Sequence, residues 1–366
     1  MKSNYDILGN HIRLIDTRNR ESITDRVLGI NIDKFFMPSV ANVIGTDLSK
    51  YKLITKGKFA CNPMHVGRDE RLPVALYDEE EPAIVSPAYF MFEVVDNSIL
   101  NEDYLMMWFR RPEFDRICWL HTDGSVRGGI TWDDICRLEL PIPPIENQLE
   151  IVNSYKAITE RIALKQKIND NLDATIYAKF QDMFQKNKEI LFSGEQLEDW
   201  CIKPLSFLAD FKYGKMATSE ILCEKGFPVY SGYRIVGYCN KYMFKEPQLV
   251  VLARGVSGTG EVRISPPCCH LTNLSIAVLL YDRTYINYLL YYLENDNLIS
   301  LDSGSAQSQI TINDLSMHKV MLPPYSKVVE FDNIAKQLRS IIDENNKEIE
   351  VLEELKMVLL TTISSR

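Results

Sequence analysis

Two long stretches of the chain carry apolar residues at helical spacing. In the first, Ile151, Tyr155, Ile158, Ile162, Ile168, Leu172, Ile176 and Phe180 recur at three-, four- and six-residue steps. In the second, Phe331, Ile334, Leu338, Ile341, Asn345, Leu352, Leu355 and Leu359 fall on one stripe. Such periodicity predicts amphipathic helices. Each stretch is entered through a proline pair, Pro143-Pro144 and Pro323-Pro324. Proline suits the first turn of a helix and breaks what comes before it. The pattern predicts helices over 144–187 and 324–366, each roughly 40 residues and about 60 Å long. Helices of that length pair as coiled coils. Ahead of each helix, over 1–143 and 188–323, the pattern changes to short apolar runs punctuated by glycine. There Phe90 to Val95 reads as a strand and Tyr104 to Arg110 as a short helix.

The two halves also say one thing twice. Ile130-Thr131-Trp132-Asp133-Asp134-Ile135 runs on to Leu140-Pro141-Ile142-Pro143-Pro144, and Ile310-Thr311-Ile312-Asn313-Asp314-Leu315 runs on to Val320-Met321-Leu322-Pro323-Pro324. The offset is constant (310 − 130 = 180), close to half of the 366 residues. The β-branched Ile-Thr pairs read as a repeated strand. A duplicated unit predicts a pseudo-symmetric molecule. The expected fold class is α+β: two mixed α/β domains separated by two long antiparallel helices that form an intramolecular coiled coil. The alternative is that each apolar stripe packs on its own domain. Asn345 lies on the stripe and Asn169 near its counterpart; polar residues there fix register.

Composition adds limits. Hydrophobic content of 46% and charged content of 25% are those of a globular protein. No apolar run reaches the roughly 20 residues of a bilayer span. The N-terminal residues lack a signal-peptide pattern, so the expectation is a cytoplasmic protein with no membrane contact. The eight cysteines form no CxxC pair, and Cys268-Cys269-His270 offers too few ligands for zinc, so no metal site is expected. Net charge is −9, which counts against a chain that wraps nucleic acid unaided but leaves room for local basic faces.

Catalytic motifs are absent from the sequence. Ser265-Pro266-Pro267-Cys268 lacks the aromatic, and Leu322-Pro323-Pro324-Tyr325 the polar residue, of an adenine-methylating loop. Ser257-Gly258-Thr259-Gly260 is no nucleotide-binding loop, because no Lys follows; beside Arg254 it suits a backbone contact to DNA phosphate. The five histidines supply neither a zinc-protease pair nor a partner for a nucleophile.

These features together resemble the DNA-specificity (S) subunits of Type I restriction–modification systems. The stretch Leu140-Pro141-Ile142-Pro143-Pro144-Ile145-Glu146-Asn147-Gln148 matches the end of a target-recognition domain and the helix after it. Met321-Leu322-Pro323-Pro324-Tyr325 matches again but lacks the Glu-x-x-Gln. Lys58 to Pro63, Ile84 to Tyr89, Phe227 to Gly232, Arg254-Gly255 with Gly258, and Gly304 to Thr311 are family-like. The resemblance implies target-recognition domains at 1–143 and 188–323, a central conserved helix at 144–187 and a C-terminal one at 324–366. It implies a non-catalytic subunit that directs the complex to an asymmetric, bipartite site in double-stranded DNA. Each domain would read one half-site, and the helices would set the spacer. Two methyltransferase (M) subunits would bring the chemistry and the S-adenosylmethionine; this chain would hold no cofactor. Restriction (R) subunits are optional further partners. The alternative is a coiled-coil adaptor whose heads bind proteins.

Base edges are read by Arg, Lys, Asn and Gln. The candidates are Lys58, Asn62, Arg68, Arg71 and Arg127 in the first domain, and Tyr233, Arg234, Lys241, Arg254, Arg263 and Gln307 in the second. Any one of them is also explained as an ordinary surface or salt-bridged side chain. Arg127 and Gln307 occupy equivalent positions of the repeat. Lys165, Lys167, Gln337 and Arg339 are candidate M-subunit contacts on the helices.

Overall fold

The computed structural model describes residues 5–122, 128–193, 197–255, 258–301 and 309–363. The chain divides into two compact units, Met1–Lys165 with Lys347–Arg366, and Gln166–Asn346. Both are built on one plan.

In unit 1 the central sheet is antiparallel, in the order Ile12–Leu14, Phe90–Val94, Phe59–Cys61, Val74–Leu76. In unit 2 the corresponding order is Ala209–Tyr213, Ser275–Leu280, Leu249–Leu252, Val262–Ile264. The registers match: Phe59 faces Phe92 and Leu76, as Leu249 faces Val278 and Ile264. A second sheet follows in each unit. Unit 1 has Phe36–Pro38, Val27–Ile30, Ala83–Val85 and Lys52–Ile54. Unit 2 has Leu222–Cys223, Ile235–Cys239, Phe227–Tyr230 and His270–Leu271. In both, one parallel pair sits among antiparallel ones.

The middle strands are buried on both faces, which explains their unbroken apolar sequence. Alternate side chains go to different cores. Phe59 and Phe92 join the helical core of unit 1, while Ala60 and Met91 pack on Leu28, Ile54 and Val85 of the second sheet. Leu249 and Val251 join the helical core of unit 2, while Val250 and Ala277 pack on Tyr230 and Leu271. Each unit is thus helix on sheet on sheet.

The strand and helix expected in the first half are present at Phe90–Val94 and Glu102–Phe109. The helix is capped by the Asn101 side chain and buries every residue from Tyr104 to Phe109. Tyr285–Glu294 is its counterpart. In each, one tyrosine reaches the strand before the proline pair: Tyr104 Oη donates to Pro141 O at 3.1 Å, and Tyr288 Oη to Met321 O at 2.7 Å.

The Ile-Thr repeat is not a strand. Thr131 caps helix Trp132–Cys136, and Thr311 caps helix Ile312–Met317. Each threonine Oγ1 accepts from the backbone N–H of the aspartate three residues on, at 3.2 Å, and donates to its carboxylate at 2.5 Å. That bond holds the Asp134 carboxyl below its ordinary value. A cap of this kind contributes about 1 kcal/mol and outweighs the strand preference of the β-branched residues. Ile130 and Ile310, both buried, pin the caps through backbone bonds to Pro63 O and Ala253 O.

The first long helix is Ile145–Phe180, continuing through a π turn at Gln181–Gln185 into Lys186–Phe192; the second is Tyr325–Thr362. Within unit 1, Arg161 and Lys165 pair with Glu348, the latter at 2.7 Å. Within unit 2, Asn345 Nδ2 donates to Asn169 Oδ1 at 2.8 Å, and Asn169 Nδ2 to Asn346 Oδ1 at 2.9 Å. Further along, Phe180 meets Phe331 at 5.9 Å. Partner numbers fall as the chain climbs, so the helices pair antiparallel as an intramolecular coiled coil. Asn345 and Asn169, both buried, bond each other across the seam as the stripe predicts. The stripe is not buried throughout: Ile168, Ile341 and Leu355 are exposed, and Leu360 and Ile363 are buried instead. A helix of 3.6 residues per turn drifts off a heptad seam by about 20° per heptad, which moves the contact face along so long an element.

Gln148 fastens the first long helix to its head. It is fully buried; its Oε1 accepts from Asn101 N–H at 2.9 Å, and its Nε2 donates to Ile99 O and Pro143 O at 2.8 Å each. This is the Gln missing from the second repeat, where Val328 is buried apolar at the equivalent position. There Asn287 Nδ2 donates to buried Asp332 at 2.8 Å and makes the fastening.

Candidate nucleic-acid interface

At one end of the unit 2 sheets, loops from four parts of the sequence are tied together around Thr272–Ser275. Gly214 N–H donates to Ser275 O at 3.0 Å and Lys215 N–H to Leu271 O at 2.8 Å. Thr272 N–H donates to Tyr230 O at 2.9 Å, and Ala253 N–H to Leu274 O at 2.8 Å. The Ser275 hydroxyl donates to Ser231 O at 2.9 Å. Close approach requires the glycines: a Cβ on Gly214 would lie 2.0 Å from Thr272 O, and Gly232, at φ +102°, would place one 2.3 Å from Ser275 Oγ.

These loops carry Lys215, Arg234 and Arg254, all exposed. None makes an ion pair with a carboxylate among the described residues. Three unneutralised cations on braced loops have the chemistry to bind phosphate oxygens or base edges. This is a local basic face on a chain that is acidic overall.

The equivalent positions of unit 1 are different. Counting on from the matched ladders, beyond their last paired residues, Arg18 corresponds to Lys215 and Met64 to Arg254. Arg18 is neutralised by Asp16 at 2.7 Å, and its Nη1 donates to Lys50 O at 2.7 Å. Met64 is exposed and uncharged.

The sequence-chosen residues divide accordingly. Lys58 is paired with Glu93, which also holds Arg13. Asn62 accepts from Met64 N–H at 3.2 Å and caps the turn that follows. Arg71 pairs with Asp33 at 3.1 Å. Arg68 lies in the short helix Val66–Asp69, and its side chain is outside the described residues, as are Arg127 and Gln307. Arg263 is held by Glu261 at 3.2 Å and Glu294 at 3.0 Å; burial pushes the Glu294 carboxyl above its ordinary value. Lys241 is exposed. Tyr233 and Arg234 stand together, the guanidinium 5.4 Å from the ring centre, beside the loops of Lys215 and Arg254. Lys215 was not among the candidates; the signal available was its place after a strand-like run and a glycine, Phe211-Lys212-Tyr213-Gly214. On the long helices Lys167 and Gln337 are exposed, but Lys165 is held by Glu348, and Arg339 Nη2 donates to Tyr291 Oη at 3.0 Å.

Among the described residues no group of His, Cys, Asp and Glu could hold a metal ion, and no helix is long and apolar enough to cross a membrane.

Residues 197–355 match the family model of the Type I restriction modification DNA specificity domain. The chain is similar to the putative type I restriction enzyme MjaX specificity subunit of Methanocaldococcus jannaschii, with 24% identity over 99% of this chain and 88% of that one. It is also similar to the MjaIX specificity subunit of the same organism, with 21% identity over 70% of this chain and 67% of that one. Its fold is that of the Type I restriction–modification S subunit from M. genitalium, with a TM-score of 0.66 and 16% identity, covering 99% of this chain and 96% of the other.

Proposed function

We propose that the chain is the non-catalytic reading subunit of a Type I complex and recognises an asymmetric, bipartite site in double-stranded DNA. Unit 1 reads one half-site and unit 2 the other, while the paired helices set the spacer. Two M subunits, with S-adenosylmethionine, methylate adenine in the site; R subunits join where cleavage occurs.

One observation carries this reading: the same sheets, tyrosine anchors and helix caps are built twice, while the side chains at equivalent loop positions differ. Lys215 answers to Arg18, and Arg254 to Met64. A repeated frame suits a repeated task on a duplex, and different loop side chains suit different base sequences.

The test is co-expression with a methyltransferase partner and mapping of methyladenine in the host DNA. A gapped motif with unlike halves is expected. Unmethylated DNA beside a demonstrably active partner would contradict the proposal.

A further inference from the structure

We infer that the hairpin tip Tyr233–Arg234 is the base-reading element of unit 2 and that its half-site contains guanine, bonded at N7 and O6 by the Arg234 guanidinium. This rests on the DNA-reading role proposed above and adds a residue and a base to it.

The tip joins strands Phe227–Tyr230 and Ile235–Cys239. Its root is rigid. Ser231 N–H and hydroxyl both donate to Arg234 O, at 2.9 and 3.1 Å, and Ser231 O accepts from buried Ser275. Gly232 fills a place where any Cβ would strike Ser275 Oγ. Beyond this root Tyr233 is 47% exposed, and Ile235 and Val236 are about half exposed. A tight turn with an apolar stem normally buries itself; this one projects instead.

Arg234 is planar, exposed and without a described carboxylate partner, and its guanidinium lies over the Tyr233 ring at 5.4 Å. Stacking on an aromatic face fixes the plane of a guanidinium and leaves its donor edge free. A fixed pair of N–H donors matches the two acceptors that guanine shows in the major groove. Lys215 and Arg254, exposed on the braced loops, are assigned to phosphate.

The hairpin of unit 1 at the same topological position, Val27–Ile30 to Phe36–Pro38, is occupied otherwise. Its loop residue Lys34, with φ +68°, is buried; the amine donates to Phe109 O and pairs with Asp115 at 2.8 Å. That hairpin is anchored to its own helices, so tip reading belongs to unit 2 alone.

The experiment maps methyladenine motifs for the wild-type complex and for Arg234→Ala, Arg234→Lys and Tyr233→Ala, each with its methyltransferase partner. Competition binding on duplexes carrying each base in turn complements the maps. With a gapped wild-type motif, Arg234→Ala is expected to cut discrimination at a guanine position of one half by about tenfold or more, leaving the other half intact. Arg234→Lys keeps the charge but not the fork, so it should retain binding and lose discrimination. A weaker but unchanged motif in Arg234→Ala would make the contact a phosphate one and overturn the inference while leaving the bipartite reading in place. So would relaxation at an A·T position. A wild type with no gapped motif would instead defeat the underlying role.

Discussion

Units 1 and 2 share a frame but handle charge in opposite ways. In unit 1 four cations are spent within the fold: Arg18 on Asp16, Lys58 on Glu93, Arg71 on Asp33 and Lys34 on Asp115, while Arg20 is exposed without a described carboxylate partner. In unit 2 Lys215, Arg234 and Arg254 stay open on braced loops, while Arg263, away from the tip, is neutralised. A frame held by buried tyrosine and cap bonds leaves its loops free to differ without cost to the core. The two units should therefore lean on DNA differently, unit 2 supplying more of the salt-sensitive grip.

The fastening of helix to head differs too and gives the largest expected effect. Gln148→Ala should destabilise unit 1 by about 3 kcal/mol, since it strands a buried N–H and two carbonyls. Asp332→Ala should cost unit 2 about 1–3 kcal/mol by stranding the Asn287 amide. Urea unfolding followed through tryptophan separates them, because Trp108, Trp119 and Trp132 lie in unit 1 and Trp200 in unit 2. Equal losses in both units from either variant would break the distinction.

A smaller effect concerns grip. Lys215→Ala with Arg254→Ala should weaken binding about tenfold regardless of sequence and reduce the salt slope by about 2, close to 0.9 per lost phosphate contact. Lys58→Ala or Arg263→Ala should leave affinity within about twofold, since both cations are already paired. Fluorescence anisotropy on duplex DNA across a salt series reads both outcomes.

The smallest effect is a pH dependence confined to unit 2. Burial raises the folded-state pKa of Glu294. Its contribution is therefore fully present below the ordinary glutamate value and is lost as pH rises through the raised one. Glu294→Gln should flatten that decline in a stability profile from pH 4 to 8. An unchanged profile would mean that Arg263 offsets the burial.

The repeat, the proline pairs and the helical stripes were legible because each is a local signal along the chain. The asparagine seam was legible for the same reason. The Ile-Thr pairs misled because β-branched residues favour strands, and only the bond to the third residue on reveals the cap. The site was the least legible part. Lys58 and Glu93 are 35 positions apart, and Arg71 and Asp33 are 38 apart, so nothing in the linear pattern shows that they neutralise each other. Lys215 acquires meaning only when four loops meet at Thr272–Ser275.

The most direct measurement is an exchange of residues 197–322 for the corresponding segment of a specificity subunit with another target, with methyladenine mapped in cells expressing the same methyltransferase partner. One half of the motif is expected to change, with the other half and the spacer retained. A change in both halves, or in neither, would contradict the division of reading between the two units.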